Sequence, residues 1–176
     1  MTVVEPRAAD GQQLASLFRQ HHVELVRLAV LLVQDQPTAE DTVQDVFLRL
    51  QAKGGRLGRD GEELAYLRAC VLHGCRSVLR RRVVARRIGN SAETSAGRAA
   101  GASAESEAIR SEERRQVLAA LAALPTRRRE VLVLRYYLGL TEAQIAATLG
   151  ISAGSVKSAA ARGLAALAKK LGEGPS

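Results

Sequence analysis

The chain has 176 residues, with 26 Lys plus Arg against 18 Asp plus Glu and a formal net charge of +8. That length holds one ordinary domain or two small ones with modest cores, and an apolar fraction of 47% excludes wholesale disorder. The basic balance points to a polyanionic partner, nucleic acid before an anionic membrane surface, and the longest apolar run, Leu28 to Val33, is far too short to insert across a bilayer.

Ala and Leu supply much of the apolar content, and the strand formers show no regular alternation, so an all-α chain is expected. Met1-Thr2-Val3-Val4-Glu5-Pro6 lacks a basic start followed by an apolar core, so no secretory signal is expected. The charge is unevenly spread. Residues 1–52 carry −3, 53–89 carry +7, 90–113 carry −3 and 114–176 carry +7. A simple nucleic-acid coat does not need such alternation. Gly89 to Ala108, GNSAETSAGRAAGASAESEA, is small, polar and without a hydrophobic period. It reads as a flexible linker, drawn here as 89–111, between two small helical domains at 1–88 and 112–176.

Leu14, Leu17, Phe18, Leu25, Leu28, Ala29 and Leu32 recur at helical spacing and predict a first amphipathic helix, ended by Asp35 to Pro37. A second helix starts with Thr38 as its expected N-cap and Asp41 as the capping-box partner. Ala39, Val43, Val46, Phe47 and Leu50 fall within one arc of about 100°, the core face. Glu40, Asp41, Gln44 and Asp45 occupy a separate arc about 140° wide, with Leu48 in its middle. Such a stripe fits a docking surface for a basic protein partner and an ordinary solvated face with one stray Leu equally well.

The loop from Ala52 to Gly61 is glycine-rich and basic but lacks the lysine-serine ending of a phosphate-binding loop. In the helical pattern that follows, Leu64, Leu67, Val71 and Val78 keep an apolar stripe, and Gly74 is the expected close-packing point. Arg76, Arg80, Arg81, Arg82, Arg86 and Arg87 make a positive edge suited to phosphates. Three consecutive Arg point in three directions, so not all of them touch one partner. Cys70 and Cys75 are the only cysteines and lie on different sides of this helix. Apolar packing of the thiols is expected rather than a disulfide or a metal site, although His73 lies between them. The reducing cytoplasm is the expected compartment.

Glu112 to Ala123 reads as a helix stopped by Leu124-Pro125, with Thr126 as the expected cap of a helix from Arg127 to Leu138 and Gly139 as its stop. Then TEAQIAATLGISAGSVKSAAARGLAAL has the spacing of a helix-turn-helix. Thr141 and Gln144 form a capping box, Ala146 is small at the crossing and Gly150 makes the turn. Ile145, Leu149, Ile151 and Val156 fill the inside, and Ser152 caps a second helix able to enter a major groove. Its outward candidates are Ala153, Ser155, Lys157, Ser158 and Arg162. A helical hairpin in a protein-binding domain is the bland alternative.

Taken in order, these segments resemble bacterial RNA polymerase sigma factors of the extracytoplasmic-function (ECF) group. PTAEDTVQDVFLRL is similar to the helix of sigma domain two that grips the β′ clamp helices. AYLRACVLHGCRSVLRRR is similar to the helices that open and read the minus-ten element. LPTRRREVLVLRYYLGLTEAQIAATLGISAGSVKSAAARGLAAL is similar to sigma domain four, which binds the β flap and reads the minus-thirty-five element. The resemblance implies Glu40, Asp41, Gln44, Asp45 and Leu48 for polymerase docking. It implies His73, Arg76, Arg80, Arg81, Arg82, Arg86 and Arg87 for minus-ten DNA, and Ser155, Lys157, Ser158 and Arg162 for minus-thirty-five DNA. It also implies core RNA polymerase, promoter DNA and an anti-sigma factor as partners, with no cofactor, metal or catalysis.

Three departures qualify this. His73 stands where members often carry Asn, and Ala153 and Ala159 stand where they often carry Arg and His, which would weaken minus-thirty-five readout. Only five aromatic residues are present. Base capture is therefore expected to rest on the loop near Lys53 to Gly61 plus Arg contacts, with few promoters opened. A stand-alone helix-turn-helix regulator of operator DNA is the competing reading. An enzyme is not expected, because the Glu40, Asp41 and Asp45 cluster has no His, Lys or glycine-rich partner nearby.

Overall fold

The computed structural model describes residues 8–54, 57, 61–87 and 104–172, and every regular element among them is helical. One unit holds α1 (Ala8–Val33), α2 (Gln36–Ala52) and α3 (Glu63–Arg87). A second holds α4 (Ala104–Ala122), α5 (Thr126–Leu132), a π-turn (Val133–Tyr137), α6 (Glu142–Leu149) and α7 (Ala153–Gly172). No helix among the described residues is long and apolar enough to cross a membrane.

In the first unit, Leu14, Leu25, Leu28 and Leu32 of α1 are buried with Ala39, Val43, Val46 and Leu50 of α2 and Leu67, Val71, Leu72 and Cys75 of α3. The α1–α2 turn is only Gln34 and Asp35. Gln34 takes a left-handed φ of +65°, and its side chain donates to the Leu31 carbonyl at 2.7 Å. Asp35, not Thr38, caps α2: its carboxylate accepts the Thr38 N–H at 3.0 Å and the Thr38 hydroxyl. Asp41 therefore plays no capping-box part. Pro37 sits in the first turn, where a missing N–H costs nothing, so it begins α2 rather than ending α1. Gly74 is the close-packing point of α2 and α3, since a Cβ there would stand 2.8 Å from the Thr42 methyl.

In the second unit, α4 begins at Ala104 and so takes in 104–111 of the expected linker; 89–103 lie outside the described residues. AESEAIRSEE lacks a hydrophobic period, yet Ala and Glu are strong helix formers, and propensity decides where burial is silent. Thr126 is not a cap. It is the first residue of α5, and Pro125 caps through its backbone carbonyl, which accepts from Arg128 (2.9 Å) and Arg129 (3.1 Å). The helix expected to run to Leu138 loosens into the π-turn after Leu132, and Gly139 stops it at φ +65°. The Thr141–Gln144 capping box forms in both directions, at 3.2 and 2.9 Å. Gly150 turns the chain at φ +64°, and Ile145, Leu149 and Val156 are buried behind it.

Candidate functional site

The acidic side of α2 faces outward. Glu40, Asp41, Gln44 and Asp45 are exposed, and Leu48 keeps 52% of its surface open in their midst. Gln36 donates to Glu40 at 2.7 Å, and the Arg49 guanidinium lies 4.0 Å from the Asp45 carboxylate. Asp41 and Gln44 sit between these pairs. The side chains opposite, Ala39, Val43, Val46 and Leu50, are in the core, which fixes the rotation of the helix. Thr42, a core position that periodicity alone passes over, is buried and donates its hydroxyl to the Thr38 carbonyl at 2.6 Å.

The basic edge of α3 divides. Arg80, Arg81 and Arg87 are exposed with His73, and Arg76 is half-buried; the side chain of Arg86 lies outside the described residues. Arg82 is different. It donates to the Val33 carbonyl at 2.7 Å and the Thr38 hydroxyl at 2.9 Å, and stands 3.6 Å from the Asp35 carboxylate. It thus covers the C-terminal end of α1 and the N-cap of α2, and does not face outward with its neighbours. A groove of about 730 Å³ runs between α2 and α3, with Thr42, Gly74 and Val78 at the helix crossing and Asp45, Arg49, Arg80 and Arg81 along it. Of the loop expected to capture bases, Lys53, Gly54, Leu57 and Gly61 are described, and Leu57 is anchored in the core.

On α3 the two thiols occupy different environments. Cys75 is buried and Cys70 half-buried, with no disulfide. Burial pushes the Cys70 thiol up, against the Tyr66 hydroxyl, Lys53 and Arg49, which draw it down. Tyr66 itself is exposed at the start of α3.

In the second unit, Ser155, Lys157 and Arg162 are exposed on α7 and Ser158 is half-buried. The Ser152 hydroxyl accepts the Ser155 N–H at 3.1 Å, the expected N-cap, and lies 2.9 Å from the Ser155 hydroxyl. Ala153 is open to solvent, whereas Ala159 is buried against the unit's core. A polar side chain absent at 159 is therefore no loss from the exposed side of α7.

Sequence pattern missed three arginines here. Arg129 is buried and donates to the carbonyls of Ala122 (2.8 Å) and Leu124 (3.2 Å), closing α4 much as Arg82 closes α1. Burial draws its pKa down, opposed by Glu130. Arg127 reaches buried Glu130 and the Leu149 carbonyl at the end of α6, each at 3.4 Å. Arg135 bonds Glu142 at 2.9 Å. Buried Arg129 and Glu130 cancel in the charge count, so part of the basic content of this region serves the fold while its net outward charge is unchanged.

Residues 17–87 match the family described as Sigma-70 region 2, and residues 114–167 match Sigma-70, region 4. The ECF RNA polymerase sigma factor SigM of Mycobacterium tuberculosis is 32% identical over 165 residues, covering 94% of this chain and 80% of that one. The chain belongs to the ECF RNA polymerase sigma factor family. SigK of Mycolicibacterium vanbaalenii, another ECF sigma factor, is 29% identical over 174 residues, covering 93% of this sigma factor and 84% of its own length. Two solved structures share the fold. One is the sigma factor RpoE of Bartonella quintana, in complex with the anti-sigma factor NepR (TM-score 0.69, 22% identity, 93% of this chain and 99% of that one). The other is CnrH, in complex with the cytosolic domain of CnrY (TM-score 0.65, 24% identity, 97% and 100%). The region 2 match accounts for the first unit, which a stand-alone helix-turn-helix regulator leaves unexplained.

Proposed function

We propose that this sigma factor docks on core RNA polymerase through Glu40, Asp41, Gln44, Asp45 and Leu48, and holds promoter DNA through two separate surfaces. The minus-ten surface is the α3 edge, with His73, Arg76, Arg80, Arg81, Arg86 and Arg87. The minus-thirty-five surface is α7, with Lys157 and Arg162 as the outward cations. Arg82 is left to its structural role. Residues 1–88 serve docking and minus-ten opening, and 112–176 serve minus-thirty-five recognition.

The observation that carries the reading is Leu48. It is the one large apolar side chain exposed among four acidic and amide neighbours, on the helix face opposite the core. Its place within the acidic stripe suits a basic protein partner that offers an apolar contact beside its charges. Arg80 and Arg81 of α3 line the same groove as Asp45, which puts the edge of the proposed DNA surface beside the proposed docking face.

The factor acts as a specificity subunit without catalysis of its own, in the cytoplasm where promoters are. An anti-sigma protein is its further partner, by analogy with the complex of RpoE and the anti-sigma factor NepR. The test is run-off transcription with purified core polymerase on genomic fragments. Promoter-directed transcripts that require the factor are expected, and none from any fragment would overturn the proposal. A gel shift separates the runner-up, since tight sequence-specific binding to duplex DNA without core would favour a stand-alone regulator.

A further inference from the structure

Arg162 and Ser158 stand one turn apart on the exposed side of α7, and the bonds between them have a definite geometry. The Arg162 Nε donates to the Ser158 carbonyl at 3.3 Å, and Nη2 donates to the Ser158 hydroxyl at 2.5 Å. Nε and Nη2 are the two donors on one side of the planar guanidinium. Both are taken up by Ser158, so the plane and the direction of the group are fixed along the helix. The end-on pair of N–H groups, on Nη1 and Nη2, is left pointing away from that serine. Such a pair matches two adjacent acceptors. Ser158 is half-buried, and its hydroxyl already accepts from Arg162.

We infer that Ser158 is a positioning residue rather than a DNA contact, and that it presents the end-on face of Arg162 to a pair of acceptors on minus-thirty-five DNA. This rests on the promoter-binding role proposed for α7. The acceptor pair is either two oxygens of one phosphate or O6 and N7 of one guanine. Arg162 is the tenth residue of α7, about 13 Å along the axis from its start. Recognition helices read bases mainly with their N-terminal residues. Ser158 reduces the side-chain freedom that Arg162 would otherwise lose on binding, so its contribution passes entirely through Arg162.

That dependence is tested by a double-mutant cycle on the holoenzyme, using a promoter fragment that supports run-off transcription with the wild-type factor. Arg162→Ala is expected to weaken binding about tenfold. Ser158→Ala is expected to weaken it about threefold, and Ser158→Thr to restore it. In the Arg162→Ala background, Ser158→Ala should cost nothing further. A full Ser158→Ala loss in that background, or none in the wild-type background, would overturn the inference. Absence of any factor-dependent run-off by the wild type would instead overturn the promoter-binding reading. Salt and sequence series identify the acceptors. An Arg162→Ala loss that is uniform across minus-thirty-five sequences, with a salt slope lower by about one, assigns a phosphate. A loss confined to duplexes with guanine at one position assigns that base.

Discussion

The guanidinium of Arg82, near the end of α3, donates to the hydroxyl of Thr38 in the first turn of α2 at 2.9 Å, and through its other nitrogen to the last carbonyl of α1. One side chain thus ties all three helices of the first unit where α1 hands over to α2. Its neighbours Arg80 and Arg81 are exposed. Arg82→Ala should lower stability by about 2 kcal/mol, because charged hydrogen bonds to two groups are lost and the Val33 carbonyl loses its partner. Arg80→Ala and Arg81→Ala should change stability by less than about 0.5 kcal/mol while weakening promoter binding by the holoenzyme. Denaturant unfolding of the full chain, read beside a promoter gel shift, checks both halves. Equal effects of the three substitutions on either measurement would refute the division.

The α2 face makes a contrasting prediction, loss of partner binding without loss of fold. Asp41 and Asp45 are exposed and contribute little to the unit's own packing. Reversing both, as Asp41→Lys with Asp45→Lys, should weaken association with core polymerase by about 3 kcal/mol or more, roughly a hundredfold. The circular dichroism spectrum and the unfolding midpoint should stay near those of the wild type. Leu48→Ala should weaken association by a smaller amount that does not vary with salt, whereas the charge effect should shrink as salt rises. Fluorescence anisotropy of labelled factor against purified core at two salt concentrations measures each term. Unchanged binding in both variants would remove this face from the docking surface.

The crossing of α2 and α3 predicts a case of rescue. A Cβ on residue 74 would lie 2.8 Å from the Thr42 methyl and 3.4 Å from a Val46 methyl. Thr42 cannot simply turn aside, since its hydroxyl is held by the Thr38 carbonyl. Gly74→Ala should therefore cost about 1–3 kcal/mol through overpacking, although Ala is the better helix former by about 1 kcal/mol. Adding Thr42→Ser removes the offending methyl and keeps the hydroxyl. The pair should recover most of the loss, which unfolding of the two single variants and the double variant would show.

Hydrophobic spacing and local turn chemistry made much of this molecule legible before any coordinates. The core face of α2, the close approach at Gly74, the Thr141–Gln144 box and the left-handed Gly150 all depend on residues within a turn or two of one another. What the sequence left open is decided at a distance. Arg82 reads like Arg80 and Arg81 until the α1–α2 turn, more than 40 residues earlier in the chain, is placed beside it. Arg129 reads like Arg128, yet one is buried on the end of α4 and the other is not. Charge patterning counts such residues as surface, although their bonds are internal. The start of α2 is ambiguous in the sequence for a related reason: Asp35 and Thr38 are both good caps, and only the two-residue turn from α1 selects the first. The polar stretch before Glu112 shows the reverse error, since it lacks a burial period but not helix propensity.

The two cysteines offer a probe of the first unit that needs no partner. Cys75 is buried in the core and Cys70 half-buried near Tyr66. Only the thiolate reacts, so the rate at each site reflects exposure and thiol pKa together. Burial pushes the Cys70 thiol up more than Tyr66, Lys53 and Arg49 draw it down. At a given pH it therefore holds less thiolate than a free cysteine, and its labelling by a disulfide reagent should be slower. Its rise in rate should also come at higher pH than that of a model thiol. Cys75 should react only through opening of the unit, at a rate that increases with added denaturant. Arg82→Ala, by loosening the tie between the three helices, should speed Cys75 labelling more than Cys70 labelling. Mass spectrometry of each site over a pH series and a denaturant series measures these rates. Cys70 labelling as fast as a model thiol at neutral pH, or Cys75 labelling independent of denaturant, would contradict the burial described here.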